Sequence, residues 1–495
     1  MNPFETVQDL KRREFLTTSA SGLGGIALGS MLAQDGLLSA ETATDSARFG
    51  ELKSHAKAKA KACIFIFMAG APSQLDLFDR KPKLNELHGS SLPKETLAKA
   101  RFAFIKPDTA VLMGSPRKWK RHGESGMELS DLLPNLGSCA DDLLLVKSMH
   151  TEEFNHHPGQ LMMQCGVSRF GMPTMGSWVN YGLGSASENL PGYVVLTAGR
   201  GSSGGSTLWQ SGFLPTKYAG VLFRNQGEPV LNLKNPDGLP PELQRAGLDA
   251  LKDLNQHRYQ EVHDPEIASR IANFELANRM QTAAPELVDL SDEPQETLDL
   301  YGVGRKEPEG GNFRGSLPGK PTYDIFARNC LLARRLVERG VRFINIVHAS
   351  WDQHSDLEKQ LAYNAGAVDQ PIAALIKDLK RRGMLDETMV VWGSEFGRTP
   401  LGENRNGRTA NTGRDHHPFA FSMAMAGGGL KGGLTYGETD EIGWNVAENP
   451  VHPNDLHATL LHQFGLDHLK LTYRFQGRDF RLTDVGGKVI QDWIA

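Results

Sequence analysis

The side chains able to do chemistry fall in a few short stretches. Glu395 and Arg398 sit in Thr388-Met-Val-Val-Trp-Gly-Ser-Glu-Phe-Gly-Arg-Thr-Pro, and Asp415, His416 and His417 sit in Gly-Arg-Asp-His-His-Pro. Asp352 and His354 share Trp-Asp-Gln-His, Asp76 and Asp79 follow an early apolar run, and His156 and His157 precede Pro158. Carboxylate and imidazole groups drawn from separate strands suit a divalent ion such as zinc, calcium or manganese. An adjacent arginine suits a bidentate oxyanion such as phosphate or sulfate. An ion there would polarise an ester and activate water at neutral pH. Taken singly, each stretch has a plainer reading: Glu395–Arg398 as a loop salt bridge, Asp-x-His as a hydrogen-bonded turn, the histidine pair as surface residues.

What unites them is their placement after strands. Ala62–Met68 is a continuous apolar run, as expected of a central strand buried on both faces. Leu143–Val146, Tyr193–Leu196, Val341–Val347, Met389–Trp392 and Phe419–Ala426 read as further strands. Helices are expected over Tyr323–Arg339, closed by Gly340, over Gln370–Arg382, closed by Gly383, and over Asp455–Phe464, with Asn454 as its cap. Strands interleaved with helices predict an α/β protein with a mostly parallel central sheet and helices on both faces. Ligands bind such sheets beyond the carboxyl ends of the strands, where the four clusters lie. Residues 199–320 break the alternation: Gly, Ser, Pro and Asn come first, then a charged helical segment around Pro265–Met280, and together they read as an insertion or cap. Ser202 and Ser203 lie in a glycine-rich run that lacks the phosphate-loop spacing and reads as a loop.

The chain has 495 residues, 39% hydrophobic and 23% charged, enough for one large or two ordinary domains. Its net charge of -4 gives no basic surplus for a nucleic-acid partner. Four scattered cysteines form no CxxC pair, so neither a disulfide framework nor a structural zinc cage is expected. Residues 1–40 read as an export signal. Lys11-Arg-Arg-Glu-Phe-Leu precedes a Gly/Ala-rich apolar run from Ala20 to Ala33, and Leu38-Ser-Ala supplies small residues for cleavage. The arginine pair resembles a twin-arginine signal. The run is too short and glycine-rich for a stable transmembrane anchor. Residues 41–60 read as a linker, residues 61–490 as the folded domain, and the expected location is periplasmic or extracellular. Oligomeric state is not legible.

Ala-Pro-Ser-Gln-Leu-Asp after the first strand, Trp-Asp-Gln-His, Ser-Glu-Phe-Gly-Arg-Thr-Pro, Gly-Arg-Asp-His-His-Pro and Asp-Leu-His-Ala-Thr-Leu-Leu resemble the sulfatase-related "domain of unknown function 1501" family, within the alkaline phosphatase/sulfatase superfamily. The resemblance implies an alkaline phosphatase-like fold and an exported metal-dependent hydrolase of small-molecule or carbohydrate phosphate or sulfate esters. It implies a metal set drawn from Asp76, Asp352, His354, Glu395, His416 and His417. The superfamily's nucleophile position falls on His156 and its helper arginine on Gln160, so no modifiable Cys or Ser is present there. His156 is then a nucleophile or base, a recruited metal ligand, or part of a non-catalytic binding or assembly protein. The second option is preferred, with Arg398 holding the oxyanion and metal-activated water attacking.

Overall fold

Burial on both faces sets the centre of the fold. All eight residues of β1 (Ala62–Ala69) are buried. Ile64, Ile66 and Met68 join the core on one face, and Cys63, Phe65 and Phe67 join the core on the other, as the two-residue period of a strand requires. The computed structural model describes residues 54–98, 101–199, 201–225, 227–236, 238–308, 322–404 and 412–495. The expected signal sequence and the linker up to residue 53 lie outside the described residues, as do parts of the 199–320 region.

Nine further strands complete the site-bearing framework: β2 (Leu143–Met149), β3 (Tyr193–Ala198), β4 (Val221–Phe223), β5 (Phe343–Ala349), β6 (Thr388–Gly393), β7 (Gly397–Gly402), β8 (Arg414–His417), β9 (Phe421–Ala426) and β10 (Leu434–Tyr436). One eight-stranded sheet runs in the order β10-β2-β9-β6-β1-β5-β3-β4. Every pairing is parallel except those of β9 with β2 and β6. The sheet is therefore mostly parallel, as expected. β9 reverses because β8 and β7 form a separate antiparallel hairpin beyond the edge of the sheet.

Seven helices matter for the site and core: α1 (His156–Cys165), α2 (Met175–Leu183), α3 (Pro241–Val262), α4 (Pro265–Val288), α5 (Thr322–Glu338), α6 (Leu357–Arg381) and α7 (Pro453–Gln463). Phe326 and Leu331 of α5 and Val368 and Leu375 of α6 pack against one face of the sheet. Leu161 of α1, Trp178 of α2 and Leu460 of α7 pack against the other. Three expectations change. The helix read from Gln370 is the second half of α6, which runs through the buried Pro371. One charged helix near Pro265–Met280 becomes the longer pair α3 and α4. α7 starts two residues earlier than expected and is capped by His452, not Asn454. The His452 ring accepts from the Asn454 N–H, and the Asp455 carboxylate accepts from the His452 N–H. The four cysteines are free and buried. No helix among the described residues is long and apolar enough to cross a membrane.

Register brings the chemistry together. β1 lies between β5 and β6, with Ala69 opposite Ala349 and Phe67 opposite Gly393, so three strands end side by side. The next residue must be glycine. Gly70 has φ +113°, and a Cβ there would lie 2.7 Å from the Asp352 backbone nitrogen.

Candidate metal centre

The loop after β5 carries Asp352 and His354, α1 begins with His156, and β8 carries His416. One donor atom from each of these four side chains lies within 4.8 Å of all the others. Asp352 Oδ1 is the point of convergence. His354 Nε2 is 2.8 Å from it, His156 Nε2 3.1 Å and His416 Nε2 3.3 Å. The buried His156 Nε2 stands close to Asp352 but finds no aligned hydrogen-bond partner. Three imidazoles with one carboxylate, one buried ring nitrogen lacking a hydrogen bond, fit a transition ion of the zinc type. They do not fit calcium, which takes six or more oxygens.

The opposite ring nitrogens are each tied down. His156 Nδ1 is 2.8 Å from Glu395 Oε1, His354 Nδ1 is 2.5 Å from Glu403 Oε2, and His416 Nδ1 is 2.7 Å from the Phe154 carbonyl. Such partners fix the orientation and tautomer of metal-binding histidines. Glu395 is wholly buried; it accepts from the Gly70 N–H at 2.9 Å, from Gln160 Nε2 at 3.1 Å and from Ser394 Oγ at 2.6 Å.

Proton affinities follow this wiring. Burial pulls the His156 imidazolium down, but the close approach of the Asp352 carboxylate, the Glu395 hydrogen bond and the charge of both carboxylates overcome it and push it up to about 9. His354 is raised in the same way, burial being outweighed by hydrogen bonds to Asp352 and Glu403. His416 is pulled down to about 4, chiefly by burial and also by the positive charge of Arg398 and His156. Burial raises the Asp352 carboxyl, yet Arg398 and the three histidines hold it far below the usual carboxylate range.

The remaining sequence-expected residues stand elsewhere. Glu395 meets the cluster only through His156, so the structure puts it behind that ring and not beside the clustered donor atoms. Asp76 is buried in an ion pair with Arg414, Nε to Oδ2 2.8 Å, and bonds Ser73 and Ser115. It lines a separate cavity of about 510 Å³ next to Met113 and Leu357. His417 points away from its neighbour because successive strand residues face opposite sides. It packs on Trp444 and bonds that residue's carbonyl at 2.5 Å. Arg398 is buried and spends its guanidinium on the carbonyls of Gly70, Ala71 and Arg414 and on Asp352 Oδ1 at 2.6 Å. It is committed to protein groups and not presented to an outside anion. Glu403 and the Phe154 carbonyl were not legible beforehand. An isolated acid ahead of a polar insert, or a main-chain oxygen, carries no sequence signal.

A cavity of about 630 Å³ opens on the cluster and is lined by Gly70, His156, Gln160, Ser202, Ser203 and Asp352 among others. The serine loop is held by Gln160, whose Oε1 accepts from Ser203 Oγ at 3.0 Å and from the Gly204 N–H at 2.9 Å. A second acidic group, Asp415 beside Glu403 and His354, is already saturated by the N–H groups of Phe104, Ile105 and His416.

Fold and site together define an α/β protein with a three-histidine, one-carboxylate cluster at the carboxyl edge of its sheet. The chain belongs to the family described as a protein of unknown function, DUF1501, matched over residues 60–494. Among solved structures it is similar to a sulfatase from Pseudoalteromonas sp., 12% identical, covering 85% of this chain and 69% of that one with a TM-score of 0.34. It is also similar to the alkaline phosphatase of the Antarctic bacterium TAB5, 10% identical, covering 83% and 99% with a TM-score of 0.33. A third is a phosphonate monoester hydrolase from Silicibacter pomeroyi, 11% identical, covering 83% and 73% with a TM-score of 0.31. No curated protein matches the chain.

Proposed function

We propose that the protein is an exported, metal-dependent hydrolase of phosphate or sulfate esters, with the ion held by His156, Asp352, His354 and His416. One observation carries the reading: three Nε2 atoms lie within 3.3 Å of a single carboxylate oxygen, and each ring is anchored from behind by Glu395, Glu403 or the Phe154 carbonyl. A zinc-type ion bound there supplies Lewis acidity toward an ester oxygen and acidifies water.

The chain's own groups do the rest. Arg398 holds the Asp352 carboxylate in place and ionised. Glu395 keeps the His156 ring turned so that Nε2 faces the cluster. Gln160 links Glu395 to the Ser202–Ser203 loop across the cavity, which joins the site to the surface that would meet the ester. His156 occupies the first turn of α1, where unpaired N–H groups favour negative charge. Export rests on the Arg12-Arg13-Glu-Phe-Leu pattern.

A second reading, a non-catalytic binding or assembly protein, is favoured by one feature. Arg398 is consumed internally and offers no clamp for an oxyanion. Metal analysis of protein purified without added metals, followed by a panel of aryl phosphates, phosphodiesters and sulfates, separates the two. Bound metal with turnover supports the hydrolase; bound metal with no turnover across the panel supports the binder.

A further inference from the structure

A short antiparallel hairpin near the end of the chain pairs Tyr473 with Phe480 and Phe475 with Arg478. Cross-strand partners share a face, so these four side chains stand together. Arg474 and Asp479 take the opposite face and pair with each other at 3.0 Å. Phe213 lies against the first face, 15° from parallel to Phe475 with centroids 5.1 Å apart, and 4.9 Å from Phe480. Phe213 and Tyr473 also pack on the core, whereas Phe475 and Phe480 line an open groove of about 710 Å³ together with Phe170. Phe170 is 65% exposed, so the aromatic wall reaches solvent. Two guanidinium groups border the rings. Arg478 stacks over Phe480 at 4.7 Å and gives one hydrogen bond to Asp484, while Arg169 makes no ion pair among the described residues.

His157 joins this groove to the metal centre. Its ring meets Phe170 edge-on, centroids 4.8 Å apart, and its Nε2 is 3.3 Å from Thr207 Oγ1. His156 is its neighbour in the first turn of α1. The segment carrying Thr207 runs from Ser202 and Ser203 in the cluster's cavity to Gln210 and Phe213 in the groove. One helix turn and one stretch of chain therefore border both cavities. Open aromatic faces suit the apolar C–H face of a sugar ring, and arginines suit sulfate or phosphate oxygens. A neutral or cationic occupant would leave both guanidinium groups unmatched. We infer that the groove binds an anionic glycan chain, an oligosaccharide bearing sulfate or phosphate esters. Its sugar rings lie on Phe170, Phe475 and Phe480, its acidic groups meet Arg169 and Arg478, and a further ester of the same chain reaches the four-residue cluster. This names the substrate class of the proposed hydrolase and rests on that reading.

The test is calorimetric titration of the full-length zinc-loaded protein with dextran-derived hexasaccharides, sulfated, phosphorylated or unmodified, and with linear polyphosphate. An esterified hexasaccharide should bind, and the unmodified one should bind at least about tenfold more weakly. Phe475→Ala combined with Phe480→Ala should weaken the esterified sugar about ten- to a hundredfold. Phe170→Ala, at an exposed ring whose loss leaves the core intact, should weaken it about tenfold. Arg169→Gln combined with Arg478→Gln should erase the preference for the esterified sugar. All these variants should keep the wild-type zinc content. Wild-type saccharide affinity in Phe170→Ala and in the double aromatic variant overturns the inference. Zinc loss in the variants overturns it too, since the rings would then merely brace the cluster. So does a wild type that binds no saccharide, that binds the unmodified sugar equally well, or that binds polyphosphate as tightly as the esterified sugar. Failure of the hydrolase reading is seen separately: esterified sugar bound through the groove with no ester cleaved leaves the groove standing and removes the enzyme.

Discussion

Replacing Glu395 with Gln keeps the side chain's shape and removes its charge from behind His156. The His156 imidazolium stands near 9 against an ordinary 6.5, after burial has acted against it. That difference corresponds to about 3 kcal/mol favouring the proton, supplied by Asp352 and Glu395 together. Zinc takes only the neutral ring, so at pH 7 displacing this proton costs the wild type about a hundredfold in affinity. The affinity should therefore climb by about tenfold per pH unit between 7 and 9, and more steeply where the raised His354 also releases a proton. In Glu395→Gln the His156 value falls toward its ordinary range, and that segment of the climb flattens. At pH 9, where the proton no longer competes, the loss of the anchoring carboxylate should show as about a ten- to hundredfold weaker site. Near pH 7 the gap between the two proteins narrows. The assay is zinc titration against a competing chelator from pH 6.5 to 9.5. Identical pH slopes in the two proteins, or equal affinity at pH 9, would show that the Glu395 carboxylate neither raises the His156 proton affinity nor anchors its ring.

Three other outcomes follow from the structure. Asp76→Asn breaks a buried pair with Arg414 and should cost about 3–5 kcal/mol in denaturant unfolding while leaving zinc content unchanged; loss of zinc would place Asp76 in the site after all. Burial pulls His417 and His457 down to about 4 and His348 to about 3, so each stays neutral when folded but takes up a proton near 6.5 when unfolded. Their contribution is present above pH 6.5 and lost as pH falls toward 4, at about 1.4 kcal/mol per pH unit for each group, and a stability profile flat over that range would contradict it. Replacing Arg12 and Arg13 together with Lys should trap the precursor in the cytoplasm, whereas normal export of that variant would end the twin-arginine reading.

The sheet was legible because a strand buried on both faces writes an unbroken apolar run, as Ala62–Met68 does. The reversed direction of β9 was not, since an apolar run has no polarity. Asp352, His354, His416 and His156 stood out as residue types beyond strand ends and helix starts. Which neighbour turns inward is decided by local geometry. The two-residue period of β8 sends His416 to the cluster and His417 to Trp444. Glu395 and Arg398 also carry the right chemistry for direct roles, but their positions leave them bracing His156 and Asp352. Sequence reveals the kind of group and seldom its distance from the centre of the cluster.

The most direct test is a crystal structure of the zinc-loaded protein with anomalous data at the metal edge. A peak is expected about 2.0–2.2 Å from the Nε2 atoms of His156, His354 and His416 and from an Asp352 oxygen. Glu395 and Glu403 should remain on the far ring nitrogens. A peak ligated by Asp76, Glu395 or His417, or no peak among the four side chains, would contradict it.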